Sequence, residues 1–176
     1  MNPCIWNRRR VLQAGLGLAG AVGIGRALAA PTIPAPTGHV VLTLSGHVGG
    51  YNTTDGIAFD MEQLEALPAH SYDTHTPWYP KPRKFTGVLL RDLFTAVGAA
   101  RTSAQAVALN DYRATIPADD IFDHDVMVAY RLDDQPMTVR EKGPLVIIYP
   151  FDEKPDLRDA VYYSRAVWQL RRLELQ

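Results

Sequence analysis

Apolar residues in this sequence come in short runs, many of them β-branched, and each run is closed within a few residues by Gly, Pro, Asn or Asp. A chain punctuated this often cannot sustain long helices, heptads or a regular βαβ alternation. It predicts short strands with a few helical turns between them. No internal repeat is visible. At 176 residues, 47% of them hydrophobic, there is material for one compact domain and too little for two ordinary ones.

The predicted elements follow from local chemistry. A strand is expected over 39–45, ended by Gly46. Asp60 is placed to cap a short helix, with Gln63 three positions on and Pro68 as its stop. Residues 70–76 alternate as a strand leading into Pro77-Trp78-Tyr79-Pro80. Phe85 to Val88 reads as the entry to a second helix, whose apolar set is Leu90, Leu93, Phe94 and Val97 with Gly98 as C-terminal cap. Strands are expected at 105–109, 113–116, 126–132 and 145–149, with Asp133-Asp134 as a hairpin turn and one helical turn at 118–122. Residues 161–175 read as one or two further strands. The fold class expected is α+β: β-rich mixed sheets with two or three short helices.

The first residues read as a targeting segment. Arg8, Arg9 and Arg10 precede a Gly-rich, weakly apolar stretch, and Ala27-Leu28-Ala29 supplies small residues for cleavage. A twin-arginine signal over 1–29 fits best, with a Sec signal as its rival, and the mature protein is expected in the periplasm. Residues 30–37 form a Pro-rich leader, disordered or extended, and the domain runs over 38–176.

Charge and composition exclude several functions. The net charge of -1 contains four arginines of the targeting segment, so the remainder is mildly acidic and poorly suited to nucleic acid. The single cysteine is Cys4, which leaves the domain without a disulfide, a thiol nucleophile or a thiolate ligand. His39, His47, His70, His75 and His124 lack metal-ligand spacing. No nucleophile elbow and no phosphate loop outside the signal is present. Asp119-Asp120 reads as a helix-start cap, and Asp123-His124-Asp125 as a loop of solvated charges.

Four polar-aromatic segments remain: Thr74-His75-Thr76-Pro77-Trp78, Asn110-Asp111-Tyr112, Tyr149-Pro150-Phe151-Asp152, and Ser164-Arg165 with Trp168. Rings beside amide, carboxylate and guanidinium groups suit a flat heterocycle, stacked on its faces and paired along its edge.

The order of three motifs resembles a known family. Phe85-Thr86-Gly87-Val88-Leu89-Leu90-Arg91-Asp92-Leu93-Phe94 is similar to the "W-x-G-V-P-L-x-D-L-L" segment of the sulfite-oxidase-type molybdopterin-binding domain. Gly143-Pro144-Leu145-Val146-Ile147-Ile148-Tyr149-Pro150 resembles its "G-P-L-R" strand, and Arg165-Ala166-Val167-Trp168-Gln169-Leu170 its "V-K-W-L" segment. The departures are as telling. In those enzymes a cysteine binds molybdenum about a dozen residues before the Gly-Val step, where Asp73 to Trp78 stand here, and Val167 replaces the basic residue before the tryptophan. Thr-x-Thr-Pro-Trp, Asn-Asp-Tyr and Tyr-Pro resemble the small, stand-alone, exported branch, whose members look like periplasmic pterin-binding proteins.

The resemblance implies an exported, non-catalytic domain that binds a pterin, molybdopterin among the candidates, without molybdenum. It would act as a sensor or carrier through the periplasmic domain of a membrane-bound signalling protein. Trp78 and Trp168 would wall the pterin, Asn110 and Asp111 would read its amino-pyrimidine edge, and Arg165 would meet a carbonyl or carboxylate. Thr74, Thr76, Tyr112, Tyr149 and Asp152 complete the expected site. The alternatives are a molybdopterin-dependent oxidoreductase with a non-cysteine ligand, and a binding module with no small ligand.

Overall fold

The structure, a computed structural model, describes residues 33–176. The expected signal over 1–29 therefore lies outside the described residues. Ten strands build two five-stranded sheets. The first sheet has the order β2-β1-β10-β5-β6, from Ile57–Asp60, Val40–Gly46, Leu170–Leu175, Ala104–Ala108 and Arg113–Ile116. The second runs β3-β4-β7-β8, from Ala69–Thr76, Tyr79–Leu89, Met127–Leu132 and Gln135–Pro136, with β9 (Val146–Ile148) also on β7. All pairings are antiparallel except β1 with β10. The mixed β-rich α+β class is as the sequence indicates.

The inward residues of both sheets join one core. Leu42, Leu44 and Phe59 come from the first sheet, Phe85, Val88, Met127 and Ile147 from the second, and all are essentially inaccessible. Helix α2 (Leu90–Ala96) adds Leu90, Leu93 and Phe94, so the helical spacing read from the sequence marks its buried face. Gly98 sits just beyond its C-cap with φ +65°, the left-handed conformation that closes a helix. At α1 (Met61–Glu65), Asp60 accepts from the Gln63 N–H at 2.9 Å while the Gln63 side chain accepts from the Asp60 N–H at 3.1 Å, a complete capping box. Asp133 and Asp134 both have positive φ, as a tight hairpin turn between β7 and β8 requires.

Several local expectations need correction. Phe85 to Val88 is not a helix entry but the end of β4, hydrogen-bonded to β3 on one side and β7 on the other. An aromatic and a β-branched residue flanked by partners on both edges favour the pleated state over the helix that follows. Residues 161–175 are not all strand: Ala160–Arg165 forms α4, because the Asp159 side chain accepts from the Val161 N–H at 2.8 Å and starts a helical turn. The helical turn expected at 118–122 is α3 (Ala118–Asp123), and 3₁₀ turns at Val139–Glu141 and Pro155–Leu157 make helical segments more numerous than expected. The described part of the leader is tied to the domain by hydrogen bonds. Pro34 O accepts from the side chains of Asn52 and Gln63, and the Thr37 and Gly38 N–H groups donate to Asp60. Among the described residues, no helix is long and apolar enough to cross a membrane.

Candidate functional site

The end of β3, the β5–β6 turn and the α4–β10 connection meet at one edge of the two sheets. Each is a place where an element stops, so its side chains are not spent on the ladder. Together they enclose a cavity of about 230 Å³ lined by Trp78, Asn110, Tyr112, Tyr163, Ser164, Trp168 and Gln169 among others. Trp78 stands edge-on to Trp168, centroids 4.7 Å apart at 86°, and to Tyr163 at 6.2 Å and 80°. Such T-shaped contacts hold the rings at fixed angles to one another. The Tyr112 hydroxyl donates to Ser164 O at 2.8 Å, tying the β5–β6 turn to α4. Asn110 Oδ1 accepts the Tyr112 N–H at 3.1 Å, which orients its amide and leaves the NH₂ unspent.

Tyr163 also lines a second, more open cavity of about 520 Å³ with His75, Thr76, Pro77, Asp152 and Arg158. Here Asp152 is the hub. One carboxylate oxygen accepts from the His75 N–H at 3.0 Å and lies 2.8 Å from His75 Nδ1, while the other accepts from Arg158 at 2.6 Å. Burial alone would push the Asp152 carboxyl up, but the His75 side chain and N–H, with Arg158, outweigh it and hold the group below its usual range. A depressed carboxylate stabilises the fold above its unfolded value and loses that contribution as pH falls through the folded one. In urea melts, Asp152→Asn is therefore expected to be less stable than wild type near neutrality, with the gap closing below about pH 4. A gap unchanged down to pH 3 would contradict this reading.

The remaining site candidates are placed as follows. Thr74 is fully buried, its hydroxyl accepting the Asp152 N–H at 3.2 Å. Thr76 is 7% exposed, and its hydroxyl has no hydrogen-bond partner among the described residues. Tyr149 is fully buried behind the site, and its hydroxyl donates to Asp120 Oδ2 at 2.8 Å. Burial, then the Asp120 charge and hydrogen bond, push that phenol far above its ordinary value, so it stays protonated.

Two expected ligand contacts, the edge-reader Asp111 and the carbonyl or carboxylate partner Arg165, pair with protein groups instead. Asp111 sits in the left-handed region at φ +62°, which turns its exposed carboxylate onto the guanidinium of Arg171 rather than into the cavity. Arg165 donates to Asp120 Oδ2 at 2.8 Å and lies over the Tyr162 ring, 5.4 Å to its centroid. Asp120 is no helix cap: α3 is preceded by Pro117 with no side-chain cap, and Asp120, 4% exposed, faces inward to join Tyr149 and Arg165. Nor are Asp123 and Asp125 simply solvated, since they pair with Arg101, and with Arg91 and Lys154.

Sequence reasoning missed Tyr163, shared by both cavities, because a Val-Tyr-Tyr run in an assumed strand gave no sign of a helix. It also missed Asp120, whose partners are remote in sequence. Among the described residues, no three His, Asp or Glu are grouped to hold a metal ion.

A family model described as "oxidoreductase molybdopterin binding domain" matches residues 47–151. Among solved structures, the sulfane dehydrogenase SoxCD from Paracoccus pantotrophus aligns with a TM-score of 0.56 and 17% identity over 76% of this chain. The alignment spans only 37% of that longer chain, and at this identity it speaks for the fold alone. No curated protein matches the sequence significantly. With the family model covering more than half its length, this chain belongs to the oxidoreductase molybdopterin-binding domain family.

Proposed function

We propose that the protein is an exported, non-catalytic pterin-binding domain that reports occupancy to the periplasmic part of a membrane-bound signalling protein. The observation that carries the ligand part is convergence. Trp78, Asn110, Tyr112, Tyr163 and Trp168, from three separate segments, wall one cavity of about 230 Å³. That is below the ~300–1,000 Å³ usual for drug-sized ligands and suits a fused two-ring heterocycle. The rings supply its faces, and the free Asn110 NH₂ supplies a donor for its carbonyl edge.

The donor set fits a pterin and does not fit thiolate-held molybdenum. The only cysteine is Cys4, and the end of β3 offers hydroxyls and the His75 imidazole, poor substitutes for a soft sulfur ligand. Export rests on the Arg8–Arg10 run and Ala27-Leu28-Ala29. The family description favours one rival, a molybdopterin-dependent oxidoreductase with a non-cysteine ligand.

Protein made in a cofactor-competent host is expected to release a fluorescent pterin on denaturation and to hold well under one molybdenum per chain. Stoichiometric molybdenum would favour the rival, and an extract without pterin would sink both. Titrated with pterin, Trp168→Ala is expected to bind on the order of tenfold to a hundredfold more weakly, from lost stacking and cavity wall. Asp111→Asn is expected to bind as wild type does, since the Asp111 carboxylate serves Arg171. A loss for Asp111→Asn matching that of Trp168→Ala would restore Asp111 as the edge-reader.

A further inference from the structure

Lys142 stands where no sequence motif drew attention to it. It follows the Val139–Glu141 turn at φ +74°, an uncommon conformation for a residue with a side chain. Its carbonyl accepts the Gln169 N–H at 2.8 Å, which fixes its backbone beside Trp168. The ammonium lies 4.8 Å from the Trp168 ring centroid and 5.0 Å from that of Tyr79. Trp168 walls the ring cavity, and Tyr79 lines another cavity of about 490 Å³ with Arg83, Asp133, Arg140 and Glu141. Lys142 therefore sits at the junction of the two.

The charges in that cavity are uneven. Asp133 is engaged by Arg83 at 2.6 Å and by the Lys84 N–H at 3.1 Å. Glu141 accepts from Thr138 and caps its own turn. Among the described residues, Lys142 and Arg140 make no ion pair, whereas Lys84 and Lys154 do. Two rings hold the Lys142 ammonium by cation–π attraction, which leaves its N–H donors for a further partner. Val167, the residue before Trp168, is buried and apolar, so that position brings no cation to the ring.

We infer that Lys142 anchors an anionic substituent of the pterin-type ligand, a carboxylate or a phosphate, that runs from the ring cavity past Trp168 toward Tyr79. This rests on the pterin reading. It assigns this chain a charge contact supplied by a different segment, with Arg140 as a weaker second cation. An ammonium-to-anion hydrogen bond is of the strong, charge-assisted kind.

The test titrates the full-length protein with four probes: unsubstituted pterin, 6-hydroxymethylpterin, 6-carboxypterin and 6-hydroxymethylpterin phosphate. Wild type is expected to bind at least one anionic probe about tenfold more tightly than the neutral pair, and to lose that preference between 50 and 500 mM salt. The tighter of the two anionic arms names the group. Lys142→Met, which keeps the apolar stem, should remove the preference while leaving the neutral probes unchanged, and Lys142→Arg should retain it. Equal affinity for neutral and anionic probes in wild type overturns the inference, and so does an equal loss for both classes in Lys142→Met. If no probe binds at all, the pterin reading itself has failed.

Discussion

Gly87→Ala is expected to lower the melting temperature by about 10 °C or more, or to prevent folding, because β4 passes too close to β7 for any side chain. A Cβ on Gly87 would lie 2.0 Å from Val128 O and 2.5 Å from the Ala129 Cα, both backbone atoms that cannot step aside. The pairing of β4 with β7 shifts register between Thr86 and Gly87, so the strain would fall on an irregular part of the ladder. Overpacking a well-packed interior typically costs about 1–3 kcal/mol, and a backbone obstacle belongs at or beyond the upper end. At roughly 4 °C per kcal/mol for a domain of this size, the melt reads it directly. A Gly87→Ala variant melting within a few degrees of wild type would show that β4 can retreat from β7. This also gives the Gly-Val step of the family motif a physical reason: the glycine is where two strands nearly touch.

Asp120→Ala carries the second large effect. The Asp120 carboxylate receives the Tyr149 hydroxyl and the Arg165 guanidinium, each at 2.8 Å, inside the protein. Removing one member of a buried ion pair costs about 3–5 kcal/mol, since the other charge is left unpaired. Arg165 retains some access to water, with 23% of its side chain exposed, which argues for the lower end of that range. A fall of about 10 °C in melting temperature is the expected result. Asp120→Asn, which can still accept from Tyr149, should lose less. Because Arg165 ends α4 and α4 carries Tyr163, pterin affinity should fall along with stability. Unchanged melting of the Ala variant would mean that water or another acceptor satisfies Arg165.

What was legible in the sequence was local. The Asp60–Gln63 capping box, the apolar stripe of α2 and the Asp133-Asp134 hairpin each depend on residues within one or two turns, and each was readable from spacing. Trp78, Asn110, Tyr112 and Trp168 stand out in the sequence as polar-aromatic residues at strand ends, and the fold brings all four to one cavity. Asp120 was not readable, because its role comes from Tyr149 and Arg165, 29 and 45 residues further on. Asp111 misled because chemistry suggested an acceptor while a positive φ decides its direction. Tyr163 and Lys142 were hidden for related reasons. A six-residue helix of Ala-Val-Tyr-Tyr-Ser-Arg has strand-like composition, and a lysine beside a glycine gives no hint of two rings around it.

The parallel pairing of β1 with β10 has a consequence for how the chain is made. β10 lies in the middle of its sheet, with β1 on one side and β5 on the other. The ribosome delivers β1, β2, β5 and β6 first, and they must wait with a gap between them, β1 and β5 each showing a bare edge. Only when residues 170–175 emerge can the two halves zip together, bringing Thr43 beside Arg172 across most of the sequence. Contacts of such long range form slowly, and unpaired edges invite wrong partners in the interval. Nascent chains of this protein should therefore depend on holdase-type protection until β10 has emerged and paired.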